Sequence, residues 1–173
     1  MMFDAALLKD AADTLDAARR ESAFIVTVES CTGGLVAAAL TAVAGSSDAV
    51  EGGYVTYTNE AKVRLGVSSE LVEAHGAVSE EVARAMAEAG LSATAKAPQP
   101  DGPAVSRVCV SITGIAGPGG GTAQKPVGLV HFAASYKGRT RHIKHTFGDV
   151  GRAKVREDSV VVALGLIRRA LAG

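Results

Sequence analysis

The chain has 173 residues, 18 Lys plus Arg balanced by 18 Asp plus Glu, and 47% hydrophobic residues, the size and make-up of one ordinary globular domain. Zero formal net charge argues against a surface built to neutralise nucleic-acid phosphates or to lie on acidic lipid. Aromatic residues make up only 4% of the chain, with Gly at 20 positions and Trp at none, so any core must close by tight approach of small side chains, as layered α/β packing does.

Cys31 and Cys109 stand far apart without a CxxC spacing, which supports neither a disulfide framework nor a structural zinc site and suits a reducing cytoplasm. Asp4 and Lys9 interrupt the apolar run that a secretory leader would need. The longest uncharged stretch, residues 31–47, is too short and too polar to span a bilayer.

In chain order, residues 4–20 carry Ala5, Leu8, Ala12 and Leu15 at helical spacing. A β-branched run at 24–28 leads through Glu29-Ser30-Cys31-Thr32-Gly33-Gly34 into a small-residue helix expected at 35–44. A second strand is expected at 53–58, then a two-turn helix capped by Asn59 and stopped by Gly66. Ser68 and Ser79 read as N-caps of two further helices, the second running to about residue 95. The proline-rich segment 97–103 predicts an exposed connection. A strand at 105–112 precedes a glycine loop at 113–121, strands at 127–135 and 139–147 form a hairpin, and residues 152–171 close the chain as a helix. The fold class expected is α/β: a single three-layer α/β/α domain over residues 1–173, with a mixed sheet that includes the C-terminal hairpin.

Ser30 sits between a strand and a helix, where backbone N–H groups of the helix start can stabilise an oxyanion; the plainer alternative makes Ser30 or Thr32 the N-cap. Cys31 is a rival nucleophile, though no histidine adjoins it in sequence. If Asn59 caps its helix, Lys62 falls in the first turn, where the helix dipole disfavours the ammonium form; it is then either a base kept neutral or a lysine on a solvated face. Tyr57, at the expected strand end, is either a proton relay to that amine or a half-buried strand aromatic. The glycine loop lacks both the P-loop and the dinucleotide-binding spacings. Arg152 and Arg156, four apart on the closing helix, can grip one phosphate or simply line a solvated face. His142 and His145 would point to opposite faces of a strand, which speaks against a metal pair.

Four blocks, TVESCTGGLVAAALTAVAGSS, GGYVTYTNEAKVRLGV, HGAVSEEVARAMA and SITGIAGPGGGTAQKPVGLV, occur in order from about Phe24 to Val130. Together they resemble the C-terminal domain of the competence/damage-inducible CinA proteins, the family that includes the stand-alone nicotinamide-nucleotide amidase. The resemblance implies hydrolysis of nicotinamide mononucleotide to nicotinate mononucleotide and ammonia, without metal or other cofactor. It assigns catalysis to Ser30, Tyr57 and Lys62 and places Thr113 and Gly114 in the pocket; Thr32, Gly33, Gly34 and Asn59 stand beside them as substrate-binding candidates, and Arg152 and Arg156 as candidates for the phosphate. It further implies a homodimer that binds a pyridine nucleotide, while cysteine usage, charge and hydropathy lead to the expectation of a cytoplasmic chain that binds neither nucleic acid nor membrane. The chain departs from the family pattern in the 97–103 segment, in Arg107 where relatives commonly carry aspartate, and in Val150-Gly151 before Arg152. A non-catalytic nucleotide-binding or regulatory module is the competing function, and direct DNA binding a weaker one.

Overall fold

Valine-rich and alternating segments build the sheet, and the small-residue helices cover it. The computed structural model describes residues 3–95 and 105–173, so the proline-rich segment 97–103 lies outside the described residues. Helix α1 (Ala5–Arg20) starts at Asp4, whose carboxylate accepts the Leu7 N–H at 2.8 Å. Strand β1 (Ala23–Glu29), helix α2 (Leu35–Thr41) and strand β2 (Val50–Val55) follow. Helices α3 (Asn59–Leu65), α4 (Ser69–His75) and α5 (Glu80–Ala95) come before strands β3 (Ser106–Gly114), β4 (Leu129–Tyr136) and β5 (Arg139–Thr146), and α6 (Arg152–Leu171) ends the chain.

The five strands form one sheet in the order β2-β1-β3-β4-β5. β1 runs parallel to both neighbours, while β3-β4 and β4-β5 are antiparallel. The expected mixed sheet and three layers are therefore found. On one face Ile25, Val110, Ile112 and Phe132 pack with Leu15 of α1, Val36 of α2 and Leu164 and Ile167 of α6. On the other, Val26, Val28 and Cys109 meet Val72 of α4 and Val82 and Met86 of α5. Alternation along β3 explains this division, since successive side chains leave opposite faces. Ser111 and Thr113 take the α5 side, and their hydroxyls donate to the carbonyls of Ala83 and Ala77.

Small residues let α5 lie close to the sheet. A methyl group at Gly90 would sit 2.6 Å from both Cys109 Sγ and Val28 Cγ2. The hairpin turn is Lys137-Gly138, both with positive φ (47° and 74°), the two-residue geometry that matches strand twist. Arg107, the departure from the family pattern, lies on β3 and pairs across the sheet with Glu51 of β2, its Nη2 3.1 Å from Oε1.

Several boundaries differ from expectation. β2 begins at Val50 and ends at Val55, so Tyr57 lies beyond the strand, not at its end. Its pairing with β1 sets this limit, Glu29 standing opposite Val55. α2 ends at Thr41 instead of running to residue 44. β3 extends to Gly114 because Thr113 and Gly114 pair with His131 and Val130 of β4, which removes both residues from the glycine loop. Ser68 and Ser79 do cap as expected, accepting the N–H groups of Leu71 and Val82 at 3.2 and 3.3 Å. Asn59 does not: Thr58 is the N-cap of α3, its hydroxyl accepting the Ala61 N–H at 3.1 Å.

Candidate active site

Ser30 leaves the C-terminal end of the interior strand β1, and its N–H donates to the Ile112 carbonyl of β3 at 2.9 Å. The next residues turn at once: the Gly33 N–H donates to the Ser30 carbonyl at 3.0 Å, and Gly33 and Gly34 adopt φ of 62° and 96°. This turn lets the chain double back so that α2 begins above the end of its own strand.

Glu29, fully buried, caps α2 from beneath. Its carboxylate accepts the N–H groups of Gly34 and Ala37, each at 2.9 Å, and of Val36 at 3.1 Å. This overturns two readings of the sequence. Neither Ser30 nor Thr32 is the N-cap, since the cap position is Gly34 with no side-chain bond. Nor are the helix-start amides open to an oxyanion, because Glu29 already occupies them. Sequence reasoning passed over Glu29. The available signal was an acidic residue five positions ahead of the Gly34 cap, across a glycine turn, in front of a helix that carries no acid in its first turn.

Lys62 reaches the same spot from α3. Its amine lies 3.1 Å from Ser30 Oγ and donates to the Thr56 carbonyl at 2.9 Å. Lys62 is 1% exposed and Ser30 8%, which removes the solvated-face reading of the lysine. Burial holds the amine below the ordinary lysine value, against the weaker pull of Cys31 and Glu60. The cause differs from the one expected: with Thr58 as N-cap, Lys62 stands in the last turn of α3, so desolvation and not the helix dipole lowers it. Cys31 is likewise buried, and desolvation pushes its thiol up to about 11, which disfavours the thiolate that a nucleophile needs.

Tyr57 is not brought to Lys62. Tyr57 is 54% exposed, and its hydroxyl accepts from Arg152 Nη2 at 2.6 Å. Arg152 Nη1 donates to the Gly117 carbonyl at 2.9 Å, tying the start of α6 to the glycine loop. Arg156, one turn further on, donates from Nε to the Cys31 carbonyl at 3.1 Å and from Nη2 to the Thr32 carbonyl at 2.9 Å. It clamps the loop that carries Ser30, a role the sequence did not reveal. Among the described residues neither arginine has a carboxylate within ion-pair distance.

The remaining expected ligands fall as follows. Thr32 is buried beside Ser30, and its carbonyl is held by Arg156. Gly33 lies against Arg156, with 3.3 Å from a Cβ built there to Nη2. Asn59 is exposed at the start of α3. Thr113 spends its hydroxyl on Ala77, and Gly114 serves the close pairing of β3 with β4, where a Cβ would meet Val130 Cγ2 at 2.7 Å. The glycine loop thus approaches its own chain closely, Gly117 and Gly121 packing on Val127.

His142 and His145 leave opposite faces of β5, as expected. His142 Nε2 lies 3.0 Å from His131 Nδ1 of β4 and its Nδ1 3.2 Å from Glu80, whereas His145 tilts against Phe147. Among the described residues no group of three or more His, Cys, Asp or Glu is placed to hold a metal ion, and no helix is long and apolar enough to cross a membrane. A groove lined by Phe3, Leu7, Leu35, Arg156 and Val160 runs between α1 and α6 and is not lined by Ser30 or Lys62.

Comparison with known proteins matches residues 8–171 to the family model described as the CinA C-terminal domain. A CinA-like protein of Mycolicibacterium gilvum (strain PYR-GCK) is 47% identical over 171 residues, covering 98% of this chain and 37% of that protein. A putative competence-damage inducible protein of Symbiobacterium thermophilum is 48% identical over 158 residues, covering 85% of this chain and 34% of its own length. The chain therefore spans only about a third of these relatives. The crystal structure of competence/damage inducible protein CihA from Agrobacterium tumefaciens superposes with a TM-score of 0.87 at 40% identity, covering 99% of this chain and 98% of that one.

Proposed function

We propose that this chain, which belongs to the CinA C-terminal domain family, is an amidohydrolase that converts nicotinamide mononucleotide to nicotinate mononucleotide and ammonia. One observation carries the reading: a serine hydroxyl 3.1 Å from a lysine amine that is buried and below its ordinary pKa. A neutral amine in that place accepts the Ser30 proton while its own N–H stays on the Thr56 carbonyl.

The steps follow from that pair. Ser30 Oγ attacks the carboxamide carbon as its proton passes to Lys62, giving a tetrahedral adduct and a lysine ammonium. Lys62 returns the proton to the amide nitrogen as the C–N bond breaks, releasing ammonia and leaving an ester on Ser30. Water then attacks the ester with Lys62 again as base, and the serine is restored as the nicotinate leaves. Burial of the pair favours the first transfer by lowering the amine's pKa, which raises the share of neutral lysine at any given pH.

Arg156 acts as a positioning residue, holding the Cys31 and Thr32 carbonyls and so orienting the Ser30 loop. Arg152, without a carboxylate partner and set beside the exposed Tyr57, is the cation available to the substrate phosphate. Tyr57, exposed and bonded to Arg152, takes no proton-relay role in this reading. The test is ammonia release from nicotinamide mononucleotide by the folded protein, alongside Ser30→Ala; a wild-type protein that binds the nucleotide without turnover would favour the regulatory-module reading.

A further inference from the structure

Two buried side-chain polar atoms among the described residues lack a hydrogen-bond partner, Thr32 Oγ1 and Thr56 Oγ1. Thr32 is 0% and Thr56 4% exposed. Other buried hydroxyls are satisfied: Thr14 donates to Asp10, Ser111 to Ala83, Thr113 to Ala77 and Ser159 to Val155, each to a main-chain carbonyl. A hydroxyl buried without a partner costs folding free energy, so a fold keeps one where something else completes it. Both orphans belong to the segments that hold the Ser30-Lys62 pair. Thr32 lies in the turn that follows Ser30, and the carbonyl of Thr56 receives the Lys62 amine at 2.9 Å.

Resting on the amidase reading, we propose that Thr56 is a specificity-determining residue, its hydroxyl accepting an N–H of the substrate's primary carboxamide. The leaving nitrogen must face Lys62 to be protonated, and Thr56 is the residue whose backbone touches that amine. A hydroxyl can accept from the amide N–H and, after hydrolysis, rotate to donate to the carboxylate oxygen in its place. An ester offers no such N–H, so this contact separates primary amides from esters of the same acid.

Thr56→Val removes the hydroxyl and keeps the branched shape. The expected result is an unchanged or raised Tm, about a tenfold or greater loss of kcat/KM for nicotinamide mononucleotide, and little loss for the methyl ester of nicotinate mononucleotide. Thr56→Ser should recover most of the amide activity. Calorimetry gives a readout apart from turnover: nicotinamide mononucleotide should bind Ser30→Ala about tenfold more tightly than Ser30→Ala/Thr56→Val. Unchanged kcat/KM and affinity in the valine variants would overturn the inference, as would a fall in Tm, which would give the hydroxyl a structural partner. Thr56-dependent binding without ammonia release by the wild type sinks the hydrolysis and keeps the recognition. Full turnover by Thr56→Val does the reverse, and absence of both binding and turnover removes both.

Discussion

Lys62 Nζ of α3 and Ser30 Oγ, just past the end of β1, stand 3.1 Å apart, and Lys62 makes no ion pair among the described residues. An amine so placed destabilises the fold whenever it is protonated. Its folded pKa lies below the unfolded value, so the unfolded chain binds the proton more tightly. The cost is fully present below the folded pKa and vanishes as pH rises to the ordinary lysine value of about 10.5.

Lys62→Met should therefore raise Tm at neutral pH, and the gain should shrink as pH approaches 10, while ammonia release is lost. Lys62→Arg should be equally inactive, because a guanidinium does not deprotonate in this range. In the wild type, kcat/KM should climb with pH along a limb whose apparent pKa is below about 10.5. Substantial kcat in Lys62→Arg would assign the lysine to charge alone.

Cys31→Ala should retain most of kcat, since the buried thiol, pushed up to about 11, is almost wholly protonated at neutral pH. Loss of activity in that variant, with Ser30→Ala still active, would reverse the choice of nucleophile.

Glu29→Gln should cost about 2–3 kcal/mol in a denaturant titration, as a buried carboxylate that accepts N–H groups from Gly34, Val36 and Ala37 gives way to an amide whose NH2 opposes them. Activity should fall with the loss of the α2 start that frames the Ser30 turn. A stability equal to wild type would show that the cap contributes little.

The two arginines should separate on substrates with and without phosphate. Arg152→Ala should raise KM for nicotinamide mononucleotide and leave the weak turnover of nicotinamide riboside unchanged. Arg156→Ala should lower kcat for both, because its carbonyl contacts hold the Ser30 loop whatever the substrate. Steady-state kinetics on the pair of substrates checks this directly.

Acid sensitivity should trace to His131. Burial and the neighbouring His142 lower it to about 4, so between roughly pH 6.5 and 4 the unfolded chain takes up a proton that the folded one refuses. Stability should fall across that window as pH falls. His131→Phe should flatten the profile of Tm against pH there, and an unaltered profile would place the acid sensitivity elsewhere.

The periodicity of α1, the serine caps of α4 and α5, and the hairpin were legible in sequence because each rests on residues within a turn or two of one another. Boundaries set by strand pairing were not: β2 and β3 end where β1 and β4 offer partners, which no local pattern encodes. The sequence by itself determined the layered α/β class and the presence of Ser30 and Lys62 in their motifs. Only the tertiary structure decided what surrounds them: Glu29 beneath α2, Arg156 on the Ser30 loop, Tyr57 with Arg152 in place of Lys62. The physical reason is desolvation. A lysine becomes a base when packing removes its water, and that packing is contributed by β1, α3 and the Thr56 carbonyl from distant parts of the chain.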